Sequence, residues 1–276
     1  MPEEQIIVRL NPDVPPTGSC LGIVNAARKS FGKRSEWEKP FEDCDSSLLK
    51  LKDKDKRLLE FLARGMTAGD FDEFCGEVEC LGNEEYKEKL VEMLWQWRNT
   101  PTHDTPFNHG FFSFEVKAPI FVARQLVKHE YLIMSEYSRR YITDDIEFYE
   151  PEWRGAAEDK KQGSVEYPDD ENGCSTKPIE WLGVDVGTHE FNMSAFDRYK
   201  WMLEIGIAPE QARVVLPQSL MTSWTWSGTL GAFAKMCQLR LAKDSQYETR
   251  LVAKEVYKHL CNQFPVAAPL LVEGVQ

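Results

Sequence analysis

The segment from Pro119 to Tyr141 constrains the fold more than any other part of the chain, because its periodicity changes part-way along. Pro119 suits a first helical turn. Apolar residues follow it near helical spacing: Ile120, Phe121, Leu126 and Val127. After Met134 the side chains alternate as in an extended segment. The pattern therefore predicts a helix that leads into an extended stretch with two distinct faces.

The same segment concentrates polar side chains that suit a phosphorylated small molecule. On the predicted helix, Arg124 and Lys128 are four residues apart and share one stripe. Gln125 and His129 have the same spacing and form a neighbouring stripe. The extended part adds a carboxylate, a hydroxyl and a guanidinium, from Glu136, Ser138 and Arg140. Charged helical faces are usually only solvated, so these residues alone leave a plain surface role open.

Composition bounds the class of protein. The chain has 276 residues, 42% hydrophobic and 28% charged, as in a soluble globular protein of one large or two small domains. No apolar run approaches the ~20 residues that cross a bilayer, and the acidic start lacks the features of a signal peptide. We expect a cytoplasmic protein with no membrane partner. The net charge of −12 argues against general binding of nucleic-acid polymers, though not against one local cationic pocket.

Cysteine and histidine usage predicts neither a disulfide framework nor a metal site. The seven cysteines are scattered and contain no Cys-x-x-Cys pair. The five histidines form no zinc motif. Cys237 and Cys261 lie in apolar helical patterns, so we expect them to be buried.

Apolar periodicity predicts the remaining elements. We expect strands at 5–10 and 112–116, and a C-terminal third that is helical. Helices are expected at 21–28, 53–64, 71–78, 84–98, 190–204, 210–215 and 229–241. Leu251, Val252, Val256 and Leu260 carry a last expected helix towards Pro265. Ser245 and Glu248 have the spacing of a capping box. Arg240 lies on an otherwise apolar stripe, where it must meet an anion or extend to solvent.

One long stretch and three single residues allow more than one interpretation. The segment 144–187 is charged and rich in turn formers, so it is either a mobile lid or a solvated excursion. His103 and His109 both precede the predicted strand at 112–116, a place where histidines are usually structural. Ser138 has no His or Asp partner pattern that would activate it as a nucleophile.

The residues from Ala118 to Tyr141 resemble the signature of the flavin-dependent thymidylate synthases. That signature reads Ala-Pro-x-Phe-Val-x-Arg-Gln-x-x-Arg-His-Arg, followed by Asn-Glu-x-Ser-x-Arg-Tyr. Here Lys128-His129-Glu130 stands where the family has Arg-His-Arg. Four further family landmarks follow in order, at 26–31, 103–109, 206–217 and 239–248. Compared with a compact family member, the stretch 65–100 looks like a helical insertion, to which we assign no function.

The resemblance implies a fold and a reaction. The fold is α+β, a helix-rich single domain over 1–276 with a small antiparallel sheet and a loop-rich excursion at about 150–188. The reaction is reductive methylation of dUMP to dTMP by a homotetramer with sites shared between subunits. FAD is the cofactor, and NADPH and 5,10-methylenetetrahydrofolate are co-substrates. The family is not thought to use an enzyme nucleophile, and the Pro-Cys-His tripeptide of the unrelated classical thymidylate synthases is missing here.

The resemblance also implies site residues. Arg240 and His103 carry the catalytic roles. The substrate-binding residues are Gln125, Lys128, Glu136, Ser138, Arg140, Arg213 and Arg240. The cofactor-binding residues are Ser30, His103, Thr105, Lys128, His129, Glu130, Glu136 and Lys235. No metal ligand is implied.

Several positions depart from the family pattern. Glu130 places a carboxylate where a cation is expected, which is unfavourable beside a phosphate unless Glu130 turns away. Thr229, Gly231 and Lys235 stand where relatives often carry Asn, Arg and Asn, and Lys235 could replace the lost cation. These departures keep two alternatives open. One is an enzyme that makes another 5-substituted deoxyuridylate, such as 5-hydroxymethyl-dUMP, and the other is a non-catalytic nucleotide-binding protein.

Overall fold

The computed structural model describes residues 2–42, 45–64, 88, 103–156, 164–165, 180–181, 184–185 and 188–272. The insertion expected at 65–100, with its helices at 71–78 and 84–98, lies outside the described residues apart from Glu88. Much of the excursion at about 150–188 lies outside them too.

Contacts divide the chain into two compact units, each built from separate segments. The first unit comprises Met1–Pro15, Ser113–Ser227 and Leu239–Val256. The second comprises Pro16–Phe112, Gly228–Gln238 and Tyr257–Gln276. The expectation of one single domain stays a prediction.

The strands form one small sheet and two short hairpins. In chain order they are β1 (Ile7–Leu10), β2 (Phe111–Pro119), β3 (Ile133–Glu136), β4 (Gly155–Ala156), β5 (Ser164–Val165), β6 (Glu180–Trp181), β7 (Val184–Asp185) and β8 (Met221–Thr229). The sheet has the order β1-β2-β8-β3, and β4 pairs with β5 as β6 pairs with β7. The β1–β2 and β3–β8 pairs are antiparallel, with Ile7 opposite Lys117 and Ile133 opposite Ser227.

The helices are, in chain order, α1 (Pro2–Gln5), α2 (Cys20–Lys29), α3 (Asp53–Arg64), α4 (Ile120–Leu126), α5 (Thr188–Glu204), α6 (Pro209–Ala212), α7 (Leu230–Arg240), α8 (Tyr247–Gln263) and α9 (Ala267–Leu271). Short 3-10 helices cover Ser46–Leu48, Thr105–His109 and Arg213–Val215. No helix in the described part of the chain is both long and apolar enough to cross a membrane.

Alternating burial fixes the central strands of the first unit. Phe114, Val116 and Ala118 of β2 are fully or almost fully buried, because every second side chain of a strand faces the same side. On β8, Trp224 and Trp226 are buried with their rings edge to face at 6.4 Å. These two nine-residue strands form the middle of the sheet, and each leads directly into a helix, β2 into Ile120–Leu126 and β8 into Leu230–Arg240.

Aromatic packing and one buried ion pair hold the second unit together. The Phe112 ring lies 6.4 Å from that of Phe233 and 5.7 Å from that of Phe264. Asp55 of α3 is fully buried and accepts hydrogen bonds from Arg28 of α2 at 2.6 and 3.1 Å. The Ser35 hydroxyl also donates to Asp55, so the chain leaving α2 is attached to α3.

The expected fold class is confirmed: the protein is helix-rich with a small antiparallel sheet. The helix expected at 53–64 is found with those bounds, and that at 190–204 begins two residues earlier. The expectation of a helical C-terminal third is wrong for Met221–Thr229, which is the strand β8. Cys237 is buried as expected, whereas Cys261 is only half-buried.

The segment that opened the sequence analysis also differs from its prediction. Pro119 ends β2 and lies at the N-cap of α4, outside the helix. The helix ends at Leu126, so Lys128 and His129 lie beyond it and do not share helical stripes with Arg124 and Gln125. The extended part begins at Ile133 and ends at Glu136, before Ser138 and Arg140. Tyr131, with a φ of 67°, reverses the chain between helix and strand.

The expected capping box is not formed. The Ser245 hydroxyl makes no hydrogen bond within the described residues. The helix α8 begins two residues later, at Tyr247. Glu248 instead accepts a hydrogen bond from the Gln246 side chain, at 3.0 Å.

Candidate functional site

Two polar cavities of the first unit contain most of the residues expected to bind substrate. The first, called here the Gln125 cavity, measures about 970 Å³ and is lined by Gln125, Lys128 and Arg240. The second, the Arg213 cavity, measures about 620 Å³ and is lined by Glu136, Ser138 and Arg213. Arg124 and Gln218 line both cavities. Within one chain, the expected substrate residues are therefore divided between two adjoining spaces.

Arg240 is held by polar partners and does not extend freely to solvent. Its Nε donates to Nε2 of His129 at 2.9 Å, and one terminal nitrogen donates to the main-chain oxygen of Gln125 at 3.3 Å. Burial lowers the pKa of the guanidinium. Burial, and then the charge of Arg240, lowers the pKa of His129 to about 4. The imidazole is therefore neutral near pH 7 and accepts through Nε2.

The side-chain amide of Gln125 is held directly by two residues. Its nitrogen donates to the side-chain oxygen of Gln246, and its oxygen accepts from the Thr249 hydroxyl at 3.1 Å. Gln246 in turn donates to the Glu248 carboxylate at 3.0 Å. Glu248 and Thr249 are both buried.

Two arginines that were expected to bind substrate contact the same residue, Glu210, which lines the Arg213 cavity. Arg140 pairs through Nε with the carboxylate of Glu210 at 2.8 Å, and Arg213 donates to the main-chain oxygen of Glu210 at 3.2 Å. Arg140 does not itself line the cavity, but Glu210 does. The Glu136 carboxylate accepts from Thr222 at 2.8 Å.

The Arg139 side chain is held by contacts within the protein. It is buried, and it donates to the main-chain oxygens of Asp144 and, at 2.7 Å, Asp145. Its guanidinium carbon lies 5.1 Å from the centre of the Tyr137 ring. Of the two neighbouring arginines, Arg140 is therefore the one that remains exposed.

Four expected cofactor residues belong to the second unit. Ser30 is the C-cap of α2 and is exposed, as is His103, whose main-chain N–H donates to Leu62 at 3.1 Å. Thr105 begins a 3-10 helix. Lys235 pairs with Asp104, the residue between His103 and Thr105, at 2.8 Å.

The position of Gly231 explains one departure from the family pattern. A Cβ atom at Gly231 would lie 2.7 Å from Oδ1 of Asn108. That oxygen also accepts from the Thr229 hydroxyl at 2.7 Å. Asn108 thus occupies the space that a larger side chain at 231 would need.

Sequence reasoning missed several residues of this region. Gln218 lines both cavities, Thr222 holds Glu136, and Thr249 holds Gln125. Gln246 was noted only as part of a family landmark. Glu130 is exposed and lines neither cavity. In the described part of the chain, no cluster of His, Cys, Asp and Glu could hold a metal ion.

Comparison with known protein families shows the family to which the chain belongs. Residues 22–266 match the family described as thymidylate synthase complementing protein. The chain belongs to this family. The resemblance drawn from the sequence motifs is confirmed, and the match extends well beyond the segments that carried them.

Similar members of this family are named flavin-dependent thymidylate synthases, as the motifs suggested. The chain is 36% identical over 179 residues to the flavin-dependent thymidylate synthase of Thermus thermophilus, a match that covers 64% of this chain and 61% of the relative. It is 37% identical over 167 residues to the enzyme of the same name from Kosmotoga olearia, covering 59% and 68%. The chain thus spans about three fifths of the length of the Thermus protein.

Solved structures share the fold. Two structures of the UMP/dUMP methylase PolB from Streptomyces cacaoi superpose with TM-scores of 0.62 and 0.60, each at 22% identity. The first contains 5-Br UMP and covers 96% of this chain and 92% of PolB; the second contains 5-Br dUMP and covers 98% and 97%. The likeness extends over almost the whole of both chains.

Proposed function

We propose that this protein catalyses flavin-dependent reductive methylation of dUMP to dTMP, with methylenetetrahydrofolate as carbon donor and NADPH as reductant. The observation that carries the proposal is family membership across residues 22–266, combined with the two polar cavities lined by residues of the family signature. The names of the Thermus and Kosmotoga relatives support the reaction. The ligands of the PolB structures support a pyrimidine nucleotide as substrate.

The cations of the two cavities suit the two ends of a nucleotide. Arg213 lines the Arg213 cavity, and Arg140 is connected to it through Glu210, so both guanidiniums are available for charge-assisted hydrogen bonds to a phosphate. Arg240 faces the Gln125 cavity with its orientation fixed by a neutral His129. A fixed guanidinium stabilises negative charge as it develops on a uracil carbonyl, which helps C5 attack the carbon donor.

Sites shared between subunits follow from the family resemblance, and the division of these residues between two cavities is compatible with such sharing. Gln125, Lys128 and Arg240 line one space, whereas Glu136, Ser138 and Arg213 line the other. In the proposed homotetramer, the Gln125 cavity of one subunit faces the Arg213 cavity of another, and the nucleotide lies between them. Such an arrangement makes each site complete only in the assembly.

The residues proposed to hold FAD have suitable chemistry. Lys128 is exposed, and the Lys235–Asp104 pair is exposed at both ends, so either cation can meet a phosphate at little cost. Glu130 is exposed and can turn from the anion. When bound, the flavin supplies the hydride. His103 and Thr105 offer a ring nitrogen and a hydroxyl close to Lys235 in the second unit.

A second candidate is favoured by the departures at Glu130 and Gly231. Gly231 lacks the cation that relatives often carry at this position, and the Asn108 side chain lies where a Cβ atom at Gly231 would be. A changed flavin environment favours another 5-substituted deoxyuridylate. The simplest is 5-hydroxymethyl-dUMP, because water can add to the same transferred carbon.

One incubation separates these outcomes. The purified protein is mixed with dUMP, methylenetetrahydrofolate, FAD and NADPH, and the nucleotide product is identified by mass. We expect dTMP, and an Arg240→Lys variant should lower its rate by at least tenfold, because the lysine cannot reproduce the contacts to His129 and Gln125. An Arg57→Lys variant on the exposed face of α3 is the matched control. A hydroxymethyl product would establish the second candidate, and dUMP binding without turnover would establish a non-catalytic binder.

A further inference from the structure

We propose that Arg139 makes the Arg213 cavity selective for a doubly charged phosphate. The buried guanidinium acts as a fixed positive charge in the cavity wall and need not touch the ligand. The inference rests on the proposed function, since it presupposes the phosphate of a nucleotide in the Arg213 cavity. Arg139 stands at the variable position of the Ser-x-Arg-Tyr part of the signature, and it is not among the site residues that the resemblance implies.

The Arg139 guanidinium is buried without a carboxylate partner. Only 9% of the residue is exposed, and its Nε atom makes no hydrogen bond within the described residues. Its other nitrogens donate to the main-chain oxygens of Asp144 and Asp145. Carbonyl dipoles satisfy N–H groups but carry no net charge, and both aspartates are exposed, so water screens their own carboxylates. The guanidinium therefore keeps a largely uncompensated positive charge, which is costly in a buried place.

The Arg213 cavity has more positive than negative charge. The charged residues that line it are Arg124, Arg139, Arg213, Glu136 and Glu210. Arg140 lies outside the lining and pairs with Glu210 at 2.8 Å, so that carboxylate is already neutralised. Among the described residues, three guanidiniums then face one remaining carboxylate, that of Glu136, which leaves a surplus of two positive charges. A phosphate monoester carries close to two negative charges near pH 7 and balances this surplus.

Arg139 differs from the other arginines around this cavity because it is buried and held in place. Arg124, Arg140 and Arg213 are exposed, so water and salt screen their charges. A charge in a less polar surrounding acts over a longer distance than a solvated charge. A cation whose position is already fixed also needs no reorganisation when an anion arrives. Arg139 therefore favours an anion in the cavity even if exposed arginines make the direct hydrogen bonds.

This charge separates nucleotides from nucleosides. A bound phosphate compensates the buried guanidinium, whereas a nucleoside leaves its charge unbalanced. A purely structural role for Arg139 has a different consequence. Arg139 holds the turn at Asp144 and Asp145, where Asp145 has a φ of 56°, and loosening that turn would not distinguish a charged ligand from a neutral one. The two roles can therefore be told apart by the charge of the ligand and the charge of the side chain.

The test compares equilibrium binding of dUMP and deoxyuridine to the purified full-length chain near pH 7, with FAD added and the carbon donor left out. The wild-type protein should prefer dUMP. Arg139→Gln can still donate to a main-chain oxygen but has no charge, so it should lower the affinity for dUMP about tenfold and leave that for deoxyuridine unchanged. Arg139→Lys keeps the charge but lacks the planar fork that reaches both oxygens, and it should retain most of the preference. Arg57→Gln, which removes a cation from the exposed face of α3, is the matched control.

The outcomes distinguish the inference from the function. If Arg139→Gln keeps the preference for dUMP, or weakens both ligands equally, the inference is overturned and the proposed function stands. Equal loss of the preference in Arg139→Gln and Arg139→Lys would show a structural role and would overturn it too. If Arg139→Gln does not fold, Arg139→Lys decides, since retention of the preference supports the inference and its loss overturns it. Binding of neither ligand by the wild-type protein would overturn both the inference and the proposed function.

Discussion

At the scale of single residues, the contact between Arg240 and His129 links a residue expected at the substrate to one expected at the cofactor. The two lie 111 positions apart in sequence, and Nε of Arg240 donates to Nε2 of His129. A protonated imidazole could not accept this bond and would repel the guanidinium. The neutral state of His129 is therefore a condition for the observed orientation of Arg240.

This contact predicts a specific dependence on pH. The folded protein keeps the pKa of His129 at about 4, against 6.5 for a free histidine, chiefly through burial and then through Arg240. Between these two values the unfolded chain binds a proton that the folded chain does not, so the contribution of His129 to stability is lost as the pH falls from about 6.5 to about 4. An NMR titration of the His129 ring should give a midpoint near 4. In Arg240→Met the pKa should rise only part of the way, because burial remains, and a midpoint of 6.5 in the wild-type protein would contradict the assigned contact.

At the scale of elements, the buried pair of Arg28 and Asp55 attaches α2 and the loop after it to α3. Asp55 is fully buried, and Arg28 and Ser35 both donate to it. Arg28 and Ser30 belong to the same family landmark, so this attachment also positions an expected cofactor residue. A buried charge with its partner removed is costly, which makes Asp55 important for this part of the second unit.

Asp55→Asn should therefore lower the free energy of unfolding by about 3 kcal/mol, because it leaves the Arg28 guanidinium without its buried counter-charge. The matched control is Asp53→Asn on the same helix, whose partner Lys56 lies at 2.9 Å on the exposed surface. That variant should change little, since exposed pairs contribute little. Chemical denaturation of both variants measures the difference. Equal effects would show that the buried network does not hold α2 to α3.

How much of these elements the sequence predicts depends on whether the deciding contacts are local. The helix at 53–64 is local, because its apolar stripe and its acidic first turn lie within twelve residues. The strand β8 was missed, although its alternation of threonine, serine and tryptophan indicates a half-buried strand. The end of α4 at Leu126 could not be read from periodicity, because the apolar spacing continues at Val127 beyond the helix.

The candidate site was likewise only partly predictable from the sequence. Motif order indicated Gln125, Lys128, Arg213 and Arg240, but it gave no distances between them. Thr249 has no motif of its own, and it contacts Gln125 across 124 positions of sequence. Contacts of that kind follow from tertiary packing, which spacing along the chain does not encode.

At the scale of the whole molecule, the two cavities raise the question of which surfaces meet around one nucleotide. Arg213 lines one cavity and Arg240 the other within a single chain. If one chain completed its own site, loss of either arginine would disable that chain irrespective of its neighbours. If each site combines one cavity from each of two subunits, a mixed assembly can collect both defective cavities in one site and leave another site with two intact cavities.

Mixed assemblies of Arg213→Ala and Arg240→Ala chains should therefore regain activity that neither variant has alone. When the two chains mix at random in equal amounts, about a quarter of the shared sites receive both intact cavities, so dTMP formation should recover to about a quarter of the wild-type rate. The measurement is the rate of dTMP formation after co-expression of the two variants, with separately purified variants mixed without subunit exchange as the control. No recovery in proven mixed assemblies would mean that each chain completes its own site, and the two cavities would then have to serve one nucleotide from within the same subunit.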